Sequence, residues 1–529
     1  HFGKDTDTKV ELDLESLSMH TFITGSTGSG KSNTVYQILS ELLKNGVRFL
    51  VIEPAKGEYK NVFGGRSDVS VYGTNPLLTE LLRINPFSFP KEVHIYEHLD
   101  RLVEIFNVCW PMYAAMPAIL KDAIERSYVN AGWDLRKSKN KYNERLFPNF
   151  IDVLQQIDEV MDMSQYSSDN KGDYKGALST RLRSLTNGIN GLVFTTDEIP
   201  AEELFDKNVI IDLSRVGSSE TKSLIMGLLV MKLQEHRIAT CDGMNVDLNH
   251  VTVLEEAHNL LKRTSTEQST EGSNLLGKSV EMLTNAIAEM RTYGEGFIIA
   301  DQAPGMLDMA VIRNTNTKII MRLPEYSDRE LVGRAAGLKD EQIVELSKLN
   351  KGVAAIYQND WIESVLCKVK MYSSDDPEYK FETKETAEYR DIKGEIISRL
   401  IAKDLMHLID TVDEELIVSN IPVAAKCKLF DYASAPNSKK FDLAAAIAYE
   451  LFSAETAFST LTKTKYDFEQ QKRYIIEHLT PSIAPLPEQC SQLILYLVTY
   501  WNAHITESAL TKNLLNYLIE MGRKEDMVK

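Results

Sequence analysis

The first sixty residues pass between short apolar runs and glycine-rich or polar joints. Met19 to Thr24 (MHTFIT) is an apolar run that stops at a glycine cluster, which predicts a short buried strand. Beyond the cluster, Val35, Ile38, Leu39, Leu42 and Leu43 recur at i, i+3, i+4, i+7 and i+8, the stripe of a helix lying on a sheet. Gly46 marks the helix stop, because a left-handed residue closes helices there at little cost. Val47 to Ile52 (VRFLVI) is nearly all apolar and ends on Glu53. A strand that is apolar without alternation is buried on both faces. The strand–helix–strand order therefore predicts a parallel sheet covered by helices, an α/β fold.

The pattern changes at about Glu97. DRLVEIFNV and PAILKDAIERSYV show helical spacing, and the polar stretch RKSKNKYNE separates them from IDVLQQIDEVM. Strands return at Val209–Leu213, His250–Leu254, Gly296–Asp301, Lys318–Leu323, Val353–Tyr357 and Ile362–Val369, with helices between most of them, notably Thr221–Gln234 and Ser279–Tyr293. Thr264 to Gly277 (TSTEQSTEGSNLLG) reads as a polar loop. After about Ser373 the strand signal ends, SSDDPEYKFETKET reads as a linker, and DLAAAIAYELFSAETAFSTL and QLILYLVTYW read as helices. The expected organisation is a first part of an α/β core over 1–96, a helical insertion over 97–190, the second part of the core over 191–375, and a separate α-helical region over 376–529.

At 529 residues the chain exceeds one ordinary core, and 43% hydrophobic with 26% charged residues is the composition of a folded chain, not a disordered one. Its 59 basic against 76 acidic residues leave a net charge of −17, which argues against a histone-like coat for DNA or a basic membrane-surface protein. A basic channel inside an acidic assembly remains compatible with that sum. The longest apolar run, Leu224 to Met231, is far short of a membrane span. No signal-peptide pattern opens the chain, and its start on His1 in place of Met leads us to expect a preceding segment. Cys109, Cys241, Cys367, Cys427 and Cys490 are odd in number and widely spaced, so they read as free thiols in a reducing cytoplasm.

The chemistry concentrates at strand ends. Gly25, Ser26, Thr27, Gly28, Ser29, Gly30, Lys31 and Ser32 spell GSTGSGKS, a GxxxxGK(S/T) loop with a strand before it and a helix after it. Glycines let successive N–H groups turn toward phosphate oxygens, and the helix N-terminus adds its positive end. Lys31 is expected on the β- and γ-phosphates of ATP and Ser32 on Mg²⁺. Such a loop needs a carboxylate for the metal and another for the attacking water. VTVLEEAHNLL supplies Glu255 for the first and Glu256 for the second; the competing reading is an acid pair that merely starts a helix. Asp301 and Gln302 end the strand GFIIAD, where an amide can sense the γ-phosphate or hold the water. Arg291 precedes that strand, and a guanidinium there suits a charge-neutralising role, often supplied by a neighbouring subunit.

GSTGSGKS, FLVIEPAKGEY, VTVLEEAH and MRTYGEGFIIADQAP, in that order, resemble the HerA branch of the HerA/FtsK superfamily of DNA-pumping ATPases. RINPFSFP, EHLDRLVEIF and GVAAIYQNDWIESVLCKV extend the resemblance over roughly residues 1 to 370. It implies a RecA/FtsK-like core, a hexameric ring with ATP at subunit interfaces, and double-stranded DNA in the pore. Lys31 and Ser32 match the phosphate loop, Glu255 and Glu256 the acid pair, Gln302 the sensor amide, and Arg291 the arginine of an R-x-x-G step that reaches a neighbour's nucleotide. Two departures stand out: Glu255 has a longer arm than the Asp often found there, and the family's small N-terminal β-barrel is not in these residues. The leading expectation is a cytoplasmic translocase or helicase without membrane partners, working beside a nuclease or NAD-consuming effector in DNA repair or antiphage defence. The alternatives are a type IV secretion or conjugation ATPase and an ATP-binding ring scaffold for an effector. Lys262, Arg263 and Lys278 bracket the polar loop 264–277 and are the candidate DNA contacts.

Overall fold

The computed structural model describes residues 8–504, apart from 111, 165–167, 242, 264–270, 383–390, 407–413, 453, 455–466, 468–469, 471–472 and 475–486. The last four residues of the expected linker, most of the second half of the expected helix 442–461 and the loop residues 264–270 therefore lie outside the described residues. The chain divides into two compact units. One holds His1–Ala118, Gly188–Val193 and Ile199–Lys384; the other holds Ile119–Asn187, Phe194–Glu198 and Glu385–Lys529.

The strands among the described residues are β1 (Thr21–Thr24), β2 (Arg48–Glu53), β3 (Val69–Gly73), β4 (Glu80–Leu81), β5 (Trp133–Asp134), β6 (Lys139–Asn140), β7 (Asn208–Asp212), β8 (His250–Glu255), β9 (Glu295–Asp301), β10 (Thr317–Ile320), β11 (Val353–Gln358) and β12 (Val365–Lys368). In the first unit ten of them form one sheet in the order β12-β11-β10-β1-β9-β8-β2-β7-β3-β4. Pairings from β10 to β4 are parallel, and β11 and β12 add an antiparallel edge. β1, β7, β8 and β9 are buried along their whole length, as expected for strands covered on both faces. Parallel strands all end at one edge, and crossover loops at that edge are where α/β sheets bind ligands. Register sets which residues meet there: Thr24 lies beside Asp301, Glu255 beside Ala300, and Glu53 beside Asp212.

The helix Lys31–Lys44 turns Val35, Leu39 and Leu42 onto the sheet against Ile23, Phe49, Val51 and Val253. Asn45 caps it and Gly46 follows at φ 75°, so the sequence-predicted stop is met. The apolar run 224–231 lies within one helix, Ser219–Thr240, capped by the Ser218 hydroxyl on the Thr221 N–H. Among the described residues no helix is long and apolar enough to cross a membrane. Four strands and one helix start depart from expectation. β4, β5 and β6 have two residues each, too short to declare themselves locally, and the five residues of β3 are held by pairing with the distant β7. Residues 271–277, expected as loop, begin the helix Glu271–Glu289.

In the second unit, the helices Ile392–Ala402, Val423–Ser434, Asn437–Leu451 and Pro487–His504 share a core that includes Ile396, Leu400, Leu429, Ile447, Leu497 and Trp501. The helix Phe150–Met163 joins the same unit: Asp152 receives the Asn149 N–H in a capping box and the Val423 N–H at 2.8 Å. The hydroxyl of Tyr142 likewise reaches Asp431 at 3.0 Å. Residues 119–187 of the expected insertion thus share one folded body with the C-terminal helices, whereas residues 97–118 belong to the first unit.

Candidate ATPase site at the sheet edge

The loop Gly25–Gly30 leaves β1 with little freedom. A Cβ on Gly25 would stand 2.6 Å from Ser29 Oγ and 2.7 Å from Met321 Cβ, so only glycine fits. Gly30 has φ 112° beside the backbone of Gly352, another position that L side chains avoid. The loop hangs from its neighbours: the Ser26 N–H and hydroxyl donate to the Arg322 carbonyl at 2.9 and 3.0 Å, and the Gly352 N–H donates to the Ser29 carbonyl at 2.8 Å. At Gly28, φ 77°, a Cβ would meet nothing within 4 Å. A curled backbone open on that side, followed by a helix whose N-terminus has no side-chain cap, fits the phosphates of a nucleotide.

Lys31 is buried, with its ammonium 2.6 Å from Glu255 Oε2 and 3.7 Å from Glu256 Oε1. Burial works against its charge, yet Glu255, Glu256 and Asp301 together hold its pKa above the usual lysine value. The other oxygen of Glu255, Oε1, accepts the hydroxyl of Tyr59. Tyr59 opens the short helix Tyr59–Phe63, and Glu53 fixes that opening by accepting the Glu58 and Tyr59 N–H groups at 2.7 and 3.1 Å. Burial, opposed by those two N–H bonds, pushes the Glu53 carboxyl up to about 8. Next along the helix, Lys60 pairs with Asp212 at the end of β7.

Glu256 stands just past β8 with φ 47° and ψ 50°, a left-handed conformation that costs a non-glycine residue on the order of 1–3 kcal/mol. Its carbonyl is held by the Asn259 N–H and side-chain amide at 3.0 and 2.8 Å. Its carboxylate Oε1 accepts the Gln302 amide, and the Gln302 carbonyl accepts the Thr27 hydroxyl. One amide therefore joins the phosphate loop to the second acid. His258 is fastened from below, with its N–H and ring Nδ1 both on Asp301 Oδ2 at 2.8 and 2.9 Å. That hydrogen bond raises the His258 pKa above the usual value, and Nδ1 lies 3.6 Å from Glu256 Oε2.

The loop Gly25–Ser32, Glu255, Glu256 and Gln302 thus meet at one edge. Oxygen donors suit Mg²⁺, and Ser32 with Glu255 supplies them next to the loop. Glu256, His258 and Asp301 place ligand atoms within 4.8 Å of one another, but both Asp301 oxygens already hold N–H groups. Arg291 is elsewhere. It lies exposed on the turn Met290–Tyr293 that precedes β9, at the edge where strands begin, so it is remote from its own loop. Arg322 is at the correct edge, exposed, with its carbonyl holding Ser26. Lys262 and Arg263 are exposed beside Leu307 and Met306, and Lys278 is exposed on the helix Glu271–Glu289, not on a loop. Sequence reading assigned no role to Tyr59 or His258. Each stands a few residues past a strand-end acid, which was the available signal.

The lysine that closes the loop is gripped by the acids that close β8, and this coupling of phosphate loop to strand-end carboxylates defines the P-loop ATPase class. Residues 1–233 match the family model described as helicase HerA, central domain, and the chain is accordingly HerA-like. It is 24% identical over 360 residues to the DNA double-strand break repair helicase HerA of Sulfurisphaera tokodaii, covering 67% of this chain and 65% of that protein. The DNA double-strand break repair helicase HerA of Sulfolobus acidocaldarius is 22% identical over 359 residues, again 67% of this chain and 65% of the relative. The match thus spans just under two thirds of either relative's length. Among solved structures, VirB4 of Thermoanaerobacter pseudethanolicus aligns with TM-score 0.49 and 18% identity, over 67% of this chain and 90% of that one.

Proposed function

We propose that this chain is the subunit of an ATP-hydrolysing ring motor that translocates or unwinds double-stranded DNA. The observation that carries the reading is the contact of Lys31 with Glu255 and Glu256. With nucleotide bound, Lys31 would turn from those acids to the phosphate oxygens, and Ser32 and Glu255 would hold the metal. Bound ATP with Mg²⁺ supplies the phosphoanhydride and the positive charge that stabilises the transferring phosphoryl group. Glu256 takes the proton of the attacking water, and Gln302 holds Glu256 toward the loop through Thr27. Arg291, remote from its own loop, serves the nucleotide of a neighbouring subunit in a ring, proposed as hexameric. Lys262, Arg263 and Lys278 give an acidic chain a local basic surface for DNA. Relatives named as DNA double-strand break repair helicases support work on DNA; the helical unit containing residues 385–504 is the place proposed for a nuclease or NAD-consuming partner, in repair or antiphage defence in the cytoplasm.

The test separates binding from turnover. Lys31→Ala should abolish binding of a fluorescent ATP analogue, whereas Glu256→Gln should bind it normally and hydrolyse ATP at least about a hundredfold more slowly. Loss of binding in Glu256→Gln would reverse the assigned roles.

A further inference from the structure

Glu255, proposed to hold the metal, is touched by Tyr59, and Tyr59 in turn packs against Tyr36 on the helix that begins with the phosphate-loop lysine. Tyr59 donates to Glu255 Oε1, and its ring meets that of Tyr36 edge to face at 5.0 Å and 84°. Tyr36 lies four residues after Ser32, one turn along the same helix face. Tyr59 is 1% exposed and mounted rigidly, since its N–H is fixed by Glu53 at the end of β2, next to β8 in the sheet.

Glu255 thus has two anchors of unlike fate. Lys31, on Oε2, is the partner that nucleotide phosphates compete for; Tyr59 is buried and holds the other oxygen, Oε1. We infer that Tyr59 is a positioning residue whose hydroxyl sets the Glu255 carboxylate for a divalent cation once Lys31 has turned to the nucleotide. The inference rests on the reading of Glu255 as the metal-side acid. Hydrogen-bond partners of metal-holding carboxylates typically govern 10- to 100-fold of metal affinity, so the hydroxyl is worth at least about tenfold. The competing account is that a buried tyrosine merely needs a partner for its hydroxyl, which would affect folding stability alone.

Tyr59→Phe keeps the ring and its contact with Tyr36 and removes the hydroxyl. In the full chain, binding of a fluorescent ADP is measured in EDTA and across a Mg²⁺ titration, and Mn²⁺ binding is followed by its paramagnetic resonance. Tyr59→Phe should leave metal-free ADP binding unchanged, raise the half-saturating Mg²⁺ about tenfold or more, and weaken Mn²⁺ binding in parallel. Because Tyr59 acts through Glu255, adding Tyr59→Phe to Glu255→Gln should cause no further loss. Thermal unfolding of the single variant confirms that the fold is kept. An unchanged Mg²⁺ midpoint in Tyr59→Phe, while Glu255→Gln raises it, overturns this inference and leaves the site reading standing. An unchanged midpoint in Glu255→Gln overturns both.

Discussion

Gln302 is the side chain whose removal should slow turnover without touching affinity. Its amide joins Glu256 to Thr27, so Gln302→Ala frees the carboxylate proposed to activate water while leaving the loop, Lys31 and Glu255 in place. A hydrogen bond to a charged group is worth about 1.5–3 kcal/mol, and each ~1.4 kcal/mol of lost transition-state stabilisation is tenfold in rate. If the whole contact operates in the transition state, kcat should fall roughly 10- to 100-fold. The left-handed backbone of Glu256 and the two bonds from Asn259 to its carbonyl remain, which confines the loss to that range. The assay is steady-state ATP hydrolysis at saturating nucleotide and Mg²⁺, with analogue binding measured alongside. A kcat within twofold of the parent would refute the bridge, and a loss of binding like that of Lys31→Ala would place Gln302 on the nucleotide instead.

Two further outcomes follow from other edges of the fold. His20, buried, accepts the Phe297 N–H on Nδ1 at 3.0 Å, and burial lowers its pKa to about 4 against the ordinary 6.5. The folded state therefore binds its proton less tightly than the unfolded state, and the stability is present above pH 6.5 and lost as pH falls toward 4. That loss amounts to roughly 3 kcal/mol. Urea unfolding at pH 7 and 4.5 should show His20→Asn losing less stability than the parent; equal losses would exclude His20 as the source. Separately, mixing Arg291→Ala subunits with Lys31→Ala subunits should restore part of the ATPase activity that each lacks, because some interfaces then pair an intact loop with an intact arginine. No recovery on mixing would turn attention to Arg322.

Local chemistry was legible in the sequence where it was carried by neighbours along the chain. The loop Gly25–Ser32 sits between a strand and a helix whose apolar stripe, Val35, Leu39 and Leu42, could be counted directly, and those residues do enter the core. What lay between distant segments was not legible. Tyr59 and Glu255 are separated by 196 residues, and only the order β8-β2 in the sheet brings them together. β3 is a strand because β7 pairs with it, not because VSVYG demands one. The start of the helix at Glu271 was hidden by a polar run whose composition favours loops. Arg291 could be read as a cation beside a strand, but only strand direction reveals that it faces away from its own loop.

The central claim is that this site drives movement on duplex DNA, and displacement of a third strand measures it most directly. A labelled triplex-forming oligonucleotide on a linear duplex is stripped by a motor that travels along the duplex, so its release reports translocation. The assembled chain with ATP and Mg²⁺ should release it, whereas Glu256→Gln should bind nucleotide and duplex yet release none. Release at an equal rate by Glu256→Gln, or an assembled parent that hydrolyses ATP on duplex DNA without releasing the strand, would contradict the account.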